Sequence, residues 1–488
     1  MECIAETEPQ MAHTPETALA IVIMAAGKGT RLKSRRPKVL HEVGGRPLLG
    51  HVIDAATAVV PADRVYVVIG HQADQVREAV AGLGVHFVEQ TEQRGTGHAI
   101  QCARQAVAGF ENILVLSGDV PLIRRETLER LWQFHRAEGA AMTLLTASPA
   151  DATGYGRVLR AAPGAAEVDA IVEYKALTAE QRRIGEINAG IYAFRTAPLF
   201  AHLDELRAEN AHGELYLTDM AHVLRNAGER VVAIEAPNAA EVLGANTLAE
   251  LASLDATLRA ANARRLMASG VTIFRPETCV IDADVVVAPD TVIEPFVQLL
   301  GATRIGSDCR VRSFTTIENC SLGDSVEVRQ NCVLSGSSIA SGAKIGPFAH
   351  LREESEVGEN VHIGNFVETK KTRLASGAKA NHFAYLGDSE IGARSNIGAG
   401  TIFCNYDGVN KHRTRIGEGV FVGSNSTLVA PVTIEDGSYI GAASCITKDV
   451  PAEALAVGRA RQIVKPGWAA ARRKDPKASS PEKMKESR

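Results

Sequence analysis

No run of about 18 apolar residues occurs in the 488-residue chain, so no membrane-crossing helix is expected. The opening stretch MECIAETEPQMAHTPET is acidic and polar where a secretory signal is basic and then apolar, so no signal peptide is expected either. An excess of one charge is also missing. Against 53 Lys and Arg stand 57 Asp and Glu, a formal net charge of −4, and no basic field for coating a nucleic acid results. Eight cysteines (Cys3, Cys102, Cys279, Cys309, Cys320, Cys332, Cys404, Cys445) include no C-x-x-C pair. A disulfide scaffold or zinc centre needs closer spacing, so reduced thiols and a cytoplasmic location are expected, with neither membrane nor nucleic acid as partner. The length exceeds one ordinary core and implies two or more domains.

Two textures divide what is present. From Leu19 to about Leu251, short aliphatic runs alternate with helix-like segments such as HAIQCARQAVAG and TLERLWQFHRAEG. Candidate strands are 20–24, 65–70, 85–88, 113–118 and 141–146. Apolar strands separated by helices predict an α/β domain with a mainly parallel sheet, covered on both faces, whose ligands bind at the carboxyl ends of strands. Segment 246–270 reads as a connecting helix closed by Gly270.

After Gly270 aliphatic residues recur every six positions: Val287, Ile293, Leu299, Ile305, Val311, Ile317, then Ile339 to Ile363, then Ile416 to Ile446. Glycine often follows, as in Ile305-Gly306 and Ile363-Gly364. A period of six fits no 3.6-residue helix; it predicts a parallel β-helix of hexapeptide repeats, with the glycines permitting the corner turns. Stacked coils bury identical positions in columns, so the domain is stable only as an array.

The loop after the first strand, Ala25-Ala26-Gly27-Lys28-Gly29-Thr30-Arg31, lacks both familiar phosphate-binding patterns. G-x-x-x-x-G-K-[ST] is absent, and Leu32 stands where G-x-G-x-x-G needs its third glycine. Small residues still let backbone N–H groups approach an anion, and Arg31 and Lys38 supply cations. From the loop alone a solvated basic turn remains the alternative.

AAGKGTRLKSRRPKVL resembles the signature of the sugar-nucleotide pyrophosphorylases. Followed by hexapeptide repeats, it resembles the bacterial family that joins N-acetylglucosamine-1-phosphate uridylyl transfer to glucosamine-1-phosphate acetyl transfer, over roughly residues 19 to 467. The resemblance implies a Rossmann-like mixed sheet, a left-handed β-helix and a homotrimer. It implies UTP and Mg²⁺ in the first half, with Met24, Ala25, Ala26, Gly27 and Lys38 on the phosphates. Gln90, Gly95 and Thr96 match the uracil-recognition segment, and Ser117, Gly118 and Asp119 the end of a strand. Asp119 and Asn246 match the metal ligands; Ser117 and Thr247 depart from the commoner tyrosine and Asn or Asp. Gly156, Glu173 and Asn188 match the amino-sugar contacts. Arg31 and Lys38 would stabilise charge as the sugar-1-phosphate attacks UTP.

In the β-helix half, His382 in ANHFAYLGD matches the general base, with Glu368 as a candidate orienting group. Arg352, Lys370, Tyr385 and Asn396 match the sugar-phosphate contacts, and Ala399, Asn405, Tyr406, Ser424, Ala442 and Arg459 those of acetyl-CoA. Cys404 reads as packing, since direct attack by an amine needs no acyl-enzyme. The expected division is a disordered extension over 1–18, a nucleotidyltransferase domain over 19–245, a linker helix over 246–270, a β-helix acetyltransferase domain over 271–467 and a disordered tail over 468–488. Two other readings are open from the residues: a nucleotidyltransferase whose β-helix only assembles or regulates, as in ADP-glucose pyrophosphorylases, and a non-catalytic scaffold that binds nucleotide sugars.

Overall fold

The computed structural model describes residues 19–162, 164–209 and 213–474. The chain forms two compact units. The first runs to Arg265 and takes in Val280–Asp284; the second holds Leu266–Cys279 and the chain from Val285 onward.

In the first unit, alternation within the strand Leu19–Met24 builds both sides of the core. Leu19, Ile21 and Ile23 join one buried cluster with Leu49, Val52 and Leu128; Ala20 and Val22 join another with Ile100, Leu199 and Met220. A sheet buried on both faces therefore reads as a continuous apolar run. Across it the order is Val231–Glu235, Met142–Ala147, Ile187–Arg195, Asn112–Ser117, Leu19–Met24, Val65–Ile69 and His86–Glu89. Every neighbour pair is parallel except those of Ile187–Arg195, which runs antiparallel to both of its partners. Four strands of this nine-stranded sheet lie outside the five expected: Arg157–Arg160, Val168–Val172, Ile187–Arg195 and Val231–Glu235. The first two form an antiparallel hairpin joined by residues 161–167, of which Pro163 lies outside the described residues.

The helix Leu248–Ala268 begins in a capping box. Thr247 Oγ1 accepts from the Glu250 amide at 3.2 Å, and Glu250 Oε2 accepts from the amides of Asn246 at 2.6 Å and Thr247 at 3.1 Å. Thr247 thus serves as the cap of this helix. Gly270 stands in the left-handed region just beyond the helix, φ 97°.

The second unit is a stack of parallel strands, most of them short and pairing with the third strand onward, 17 or 18 residues later, as Val292 with Arg310 and Arg304 with Ser321; two 13-residue strands, His362–Leu374 and Lys379–Ile391, pair directly at the same spacing, Asn365 with His382. Three strands per coil follow. The aliphatic hexad positions are buried throughout, Val287 through Ile363 and Ile416 through Ile446.

The role expected for the glycines is corrected. The left-handed corner positions are occupied mostly by other residues, among them Asp290, Phe296, Phe314, Asn319, Phe348, Phe366 and Phe383. Gly306, Gly364, Gly392 and Gly417 are needed for a different reason. A Cβ at each would run into the backbone of the next coil, so glycine sets coil clearance rather than corner geometry. The tail expectation is corrected as well. WAAARRK forms a helix, Trp468–Lys474, because alanines favour helix and the basic residues lie at its negative end; 475–488, like 1–18, lie outside the described residues.

Candidate functional site

In the first unit the strands Leu19–Met24, Val65–Ile69, His86–Glu89 and Asn112–Ser117 end together, and the loops that follow enclose a cleft of about 480 Å³. Met24, Ala25, Ala26, Gly27, Lys38, Gln90, Gly95, Thr96, Ser117 and Asp119 line it. The loop passes close because its neighbours are small: Gly118 donates its amide to Met24 O at 3.0 Å, and a Cβ there would lie 3.1 Å from that oxygen. Gly27, in contrast, faces open space, with no atom within 4 Å of an added Cβ.

Gln90 is 3% exposed, and its amide donates to Gly95 O at 3.0 Å, bracing the turn into the helix Thr96–Val107. Gly95 is at φ 106°, pressed against Leu215 O, where no side chain fits. Thr96 Oγ1 accepts from the Leu217 amide at 2.9 Å. The cleft holds residues that sequence reading missed: Lys28, Gln93 and Glu214. The signal for Gln93 was its place in the same turn as Gln90, whose carbonyl it binds at 3.0 Å.

At one end of the cleft the ammonium of Lys38 sits between Asp119 Oδ2 and Asn246 Oδ1, the latter at 2.9 Å, and Arg31 donates to the same Asn246 oxygen at 2.7 Å. Two oxygens from chain positions 127 residues apart converge on one cation. This donor set fits a hard divalent ion that keeps waters and phosphate oxygens as further ligands, with Lys38 standing in for it. Among the described residues no cluster of three His, Cys, Asp or Glu offers a fuller cage.

Gly156, Glu173 and Asn188 do not line that cleft; the hairpin and the strand Ile187–Arg195 bring them together beside it. The Asn188 amide N–H donates to Gly156 O at 3.0 Å, and a Cβ on Gly156 would stand 3.6 Å from Glu173 Oε2. Loss of hydration raises the Glu173 carboxyl above its ordinary pKa, partly opposed by a 3.3 Å hydrogen bond from Thr218, with Asp219 adding to the rise. Asn188 Nδ2 donates to the Tyr192 hydroxyl at 2.8 Å.

In the second unit the nominated residues stand on the outside of the coils, except Asn405, which is buried. Register places Asn365 beside His382, Glu368 beside Tyr385, and Lys370 beside Gly387. Gly387 matters by what it lacks: a Cβ there would meet the Tyr385 hydroxyl at 2.6 Å and Asn405 Nδ2 at 2.7 Å, so its bareness lets both reach one spot. Asn405 is held by Asp388, which the sequence reading did not single out. Lys370 is drawn below its usual pKa chiefly by the Lys411 ammonium beside it, also missed. Two amines brought together, with Asp388 only partly offsetting them, mark a place for an anion.

Glu368 does not orient His382. Its carboxylate accepts from Arg352 Nη1 at 3.0 Å, while His382 Nδ1 lies 2.8 Å from Asn365 Oδ1. Asn396 sits opposite Lys379. Ala399, Ser424, Ala442 and Arg459 descend the stack in a line: Ala399 O accepts from the Asn425 amide, Ser424 O from that of Ala443, and Ala442 O from Arg459 Nη1 at 2.9 Å. Tyr406 is exposed and donates its hydroxyl to Gly408 O at 2.6 Å. Cys404 is half-buried, and burial pushes the thiols of Cys320 and Cys332 up to about 11, leaving those two unreactive.

Comparison with known proteins matches both units. Residues 21–273 match the MobA-like NTP transferase domain, 276–373 the GMPPB C-terminal domain, and 413–448 the bacterial transferase hexapeptide (six repeats). The chain is 60% identical over 465 residues to the bifunctional protein GlmU of Koribacter versatilis (strain Ellin345), covering 95% of this chain and 99% of the relative. It is 53% identical to that of Solibacter usitatus (strain Ellin6076), covering 93% and 98%, and 45% identical to that of Pelobacter propionicus, covering 92% and 98%.

Proposed function

The chain belongs to the family of bifunctional GlmU proteins, and from that membership we propose how its two centres divide the work. It is a uridylyltransferase and an acetyltransferase of UDP-N-acetylglucosamine synthesis, a precursor of cell-envelope polymers. Acetyl transfer from acetyl-CoA to glucosamine-1-phosphate comes first, and the product accepts a uridylyl group from UTP with release of pyrophosphate.

The observation that carries the first centre is the convergence of Asp119 and Asn246 on one cation beside a glycine-lined cleft. Those two side chains would hold Mg²⁺, which supplies charge neutralisation on the phosphates when bound. Met24 to Gly27 approach the triphosphate through the backbone, and Arg31 and Lys38 neutralise charge on the transferring and leaving groups. Gln90, Gly95 and Thr96 read the uracil edge. Gly156, Glu173 and Asn188 hold the amino sugar, whose phosphate oxygen attacks the α-phosphorus in line.

At the second centre Arg352, Lys370, Tyr385 and Asn396 hold the sugar phosphate. His382 accepts the proton that the amine loses as its nitrogen bonds to the thioester carbonyl; the C–S bond breaks and CoA leaves as the thiol. Ala399, Ser424 and Ala442 leave room for the pantetheine arm, Asn405 and Tyr406 bond it, and Arg459 meets a CoA phosphate. The proposed domains span 19–245 and 271–467 with 246–270 between them; the compact units divide instead at Arg265, most of the linker helix and Val280–Asp284 falling in the first.

Three copies associate through the β-helix. Support comes from an exposed ladder of phenylalanines along one corner, Phe296 stacked on Phe314 at 5.0 Å and Phe348 on Phe366 at 5.3 Å. A cytoplasmic location accords with the substrates, and no helix among the described residues is long and apolar enough to cross a membrane.

Paired variants test the two-centre reading. Asp119→Ala is expected to lower pyrophosphate release about 100-fold or more and leave CoA release intact, and His382→Ala the reverse. A folded variant that loses both activities contradicts the reading.

A further inference from the structure

We infer that Asn365 is the positioning residue of the acetyl-transfer centre: its amide oxygen holds the His382 ring as the tautomer protonated on Nδ1, which keeps Nε2 free to take the proton from the amine. The inference rests on the reading of His382 as the base and adds what makes that ring competent.

The stacking of coils puts the two side chains together. Asn365 on the strand His362–Leu374 is in register with His382 on Lys379–Ile391, and Oδ1 lies 2.8 Å from Nδ1. An amide oxygen only accepts, so the ring must donate, and in a neutral imidazole a proton on Nδ1 leaves the lone pair on Nε2. His382 is exposed, so no packed neighbour locks its ring; the hydrogen bond to Asn365 does.

The acids nearby are engaged elsewhere. Glu368 serves Arg352, and Asp388 serves Asn405. The other titratable group that feels the ring's charge is His362 on the preceding coil, which Arg329, Lys344 and Lys379 also act on. The choice of an amide is chemically specific. A carboxylate in this place would orient the ring equally well but stabilise the imidazolium, and a ring already protonated accepts nothing from an amine. Asn365 orients without adding charge.

The test uses the full-length protein, with CoA release from acetyl-CoA and glucosamine-1-phosphate as one measurement and pyrophosphate release from UTP as a second. Asn365→Ala is expected to lower kcat for acetyl transfer about 10- to 100-fold. Its KM for glucosamine-1-phosphate should move less than about twofold, since the ring's orientation matters most in the transition state. Asn365→Asp is expected to shift the acid limb of the kcat–pH profile upward by about one pH unit and to regain activity above it. In the unmodified protein, ¹⁵N-histidine NMR should show His382 protonated on Nδ1. Wild-type kcat in Asn365→Ala, an unmoved limb in Asn365→Asp, or a proton on Nε2 overturns the inference. If the alanine variant does not fold, the aspartate profile and the tautomer decide. His382→Ala separates the two readings: inactive while Asn365→Ala is normal, it sinks this inference alone; still active, it sinks the base assignment itself.

Discussion

The two units gather their functional side chains by opposite routes. In the α/β unit, Arg31, Lys38, Asp119 and Asn246 come from loops scattered over more than 200 residues and meet because parallel strands end together. In the β-helix the partners are one coil apart: Asn365 and His382, Asp388 and Asn405, Ala442 and Arg459 each differ by 17 residues. The first arrangement encloses a cleft, while the second leaves its residues on the outside of a stack. A topological site tolerates local change as long as strand ends stay aligned, whereas a stacked site depends on every coil keeping its spacing.

That difference makes one substitution mean two things. Gly364→Ala pushes a methyl group into the backbone of Asn381 on the next coil and should destabilise the β-helix by about 3 kcal/mol or more. The spacing of Asn365 against His382 would fail with it. Gly27→Ala, with open space around it, should change stability by less than about 0.5 kcal/mol. Its methyl would occupy the phosphates' approach and raise KM for UTP about tenfold, the equivalent of about 1.4 kcal/mol. Thermal melts of the two variants, with UTP kinetics on the second, check the contrast; equal losses of stability would erase it.

Legibility in the sequence follows the same divide. The period of six located the buried aliphatics because each coil repeats the same environment, and the column of Val287, Ile293 and Leu299 is buried as the spacing implies. What periodicity hides is the contact between coils. Gly306 and Gly364 looked like corner residues because the aliphatic–glycine pair carries no sign of the neighbouring backbone, and Glu368 looked free to orient His382 because its pairing with Arg352 spans a coil. In the α/β unit the five apolar strands were readable. The strand Ile187–Arg195 was not, because its INAGIYAFR pattern mixes polar and small residues where the sheet turns antiparallel. The motif AAGKGTRL marked the phosphate loop, but only the fold showed Lys38 reaching both Asp119 and Asn246.

Acid should separate the units next. His135 is buried in the first, its Nδ1 bound to Thr143 Oγ1 at 2.7 Å and its Nε2 without a partner, and burial lowers its pKa to about 4, assisted by Arg195. The folded ring stays neutral while the unfolded one takes a proton below 6.5, so stability from this site is complete above 6.5 and lost as pH falls toward 4. The loss amounts to about 3 kcal/mol. Among the described residues, the fully buried polar side chains of the β-helix are Ser, Thr, Asn and Cys, which stay neutral over that range; the half-buried His362 is also lowered by burial, without being sealed in the core as His135 is. Urea titrations at pH 7 and pH 5, followed by the fluorescence of Trp132 stacked on His135, should show the midpoint falling, and His135→Phe should flatten the fall. An unchanged midpoint would remove the distinction.

The smallest effect is expected at Arg459, and it tests how far the stacked site extends. Its guanidinium lies exposed at the foot of the line from Ala399 through Ser424 and Ala442, tied among the described residues only to Ala442 O. Bonded to one carbonyl, the group keeps donors for a phosphate, yet solvent weakens any such pair to about 1 kcal/mol. Arg459→Ala should therefore raise KM for acetyl-CoA about fivefold and leave kcat unchanged. Half a molar salt should narrow the gap between variant and parent, because screening over about 4 Å already removes most of an exposed pair's attraction. A variant indistinguishable from the parent at low salt would end the coenzyme line at Ala442, one coil short.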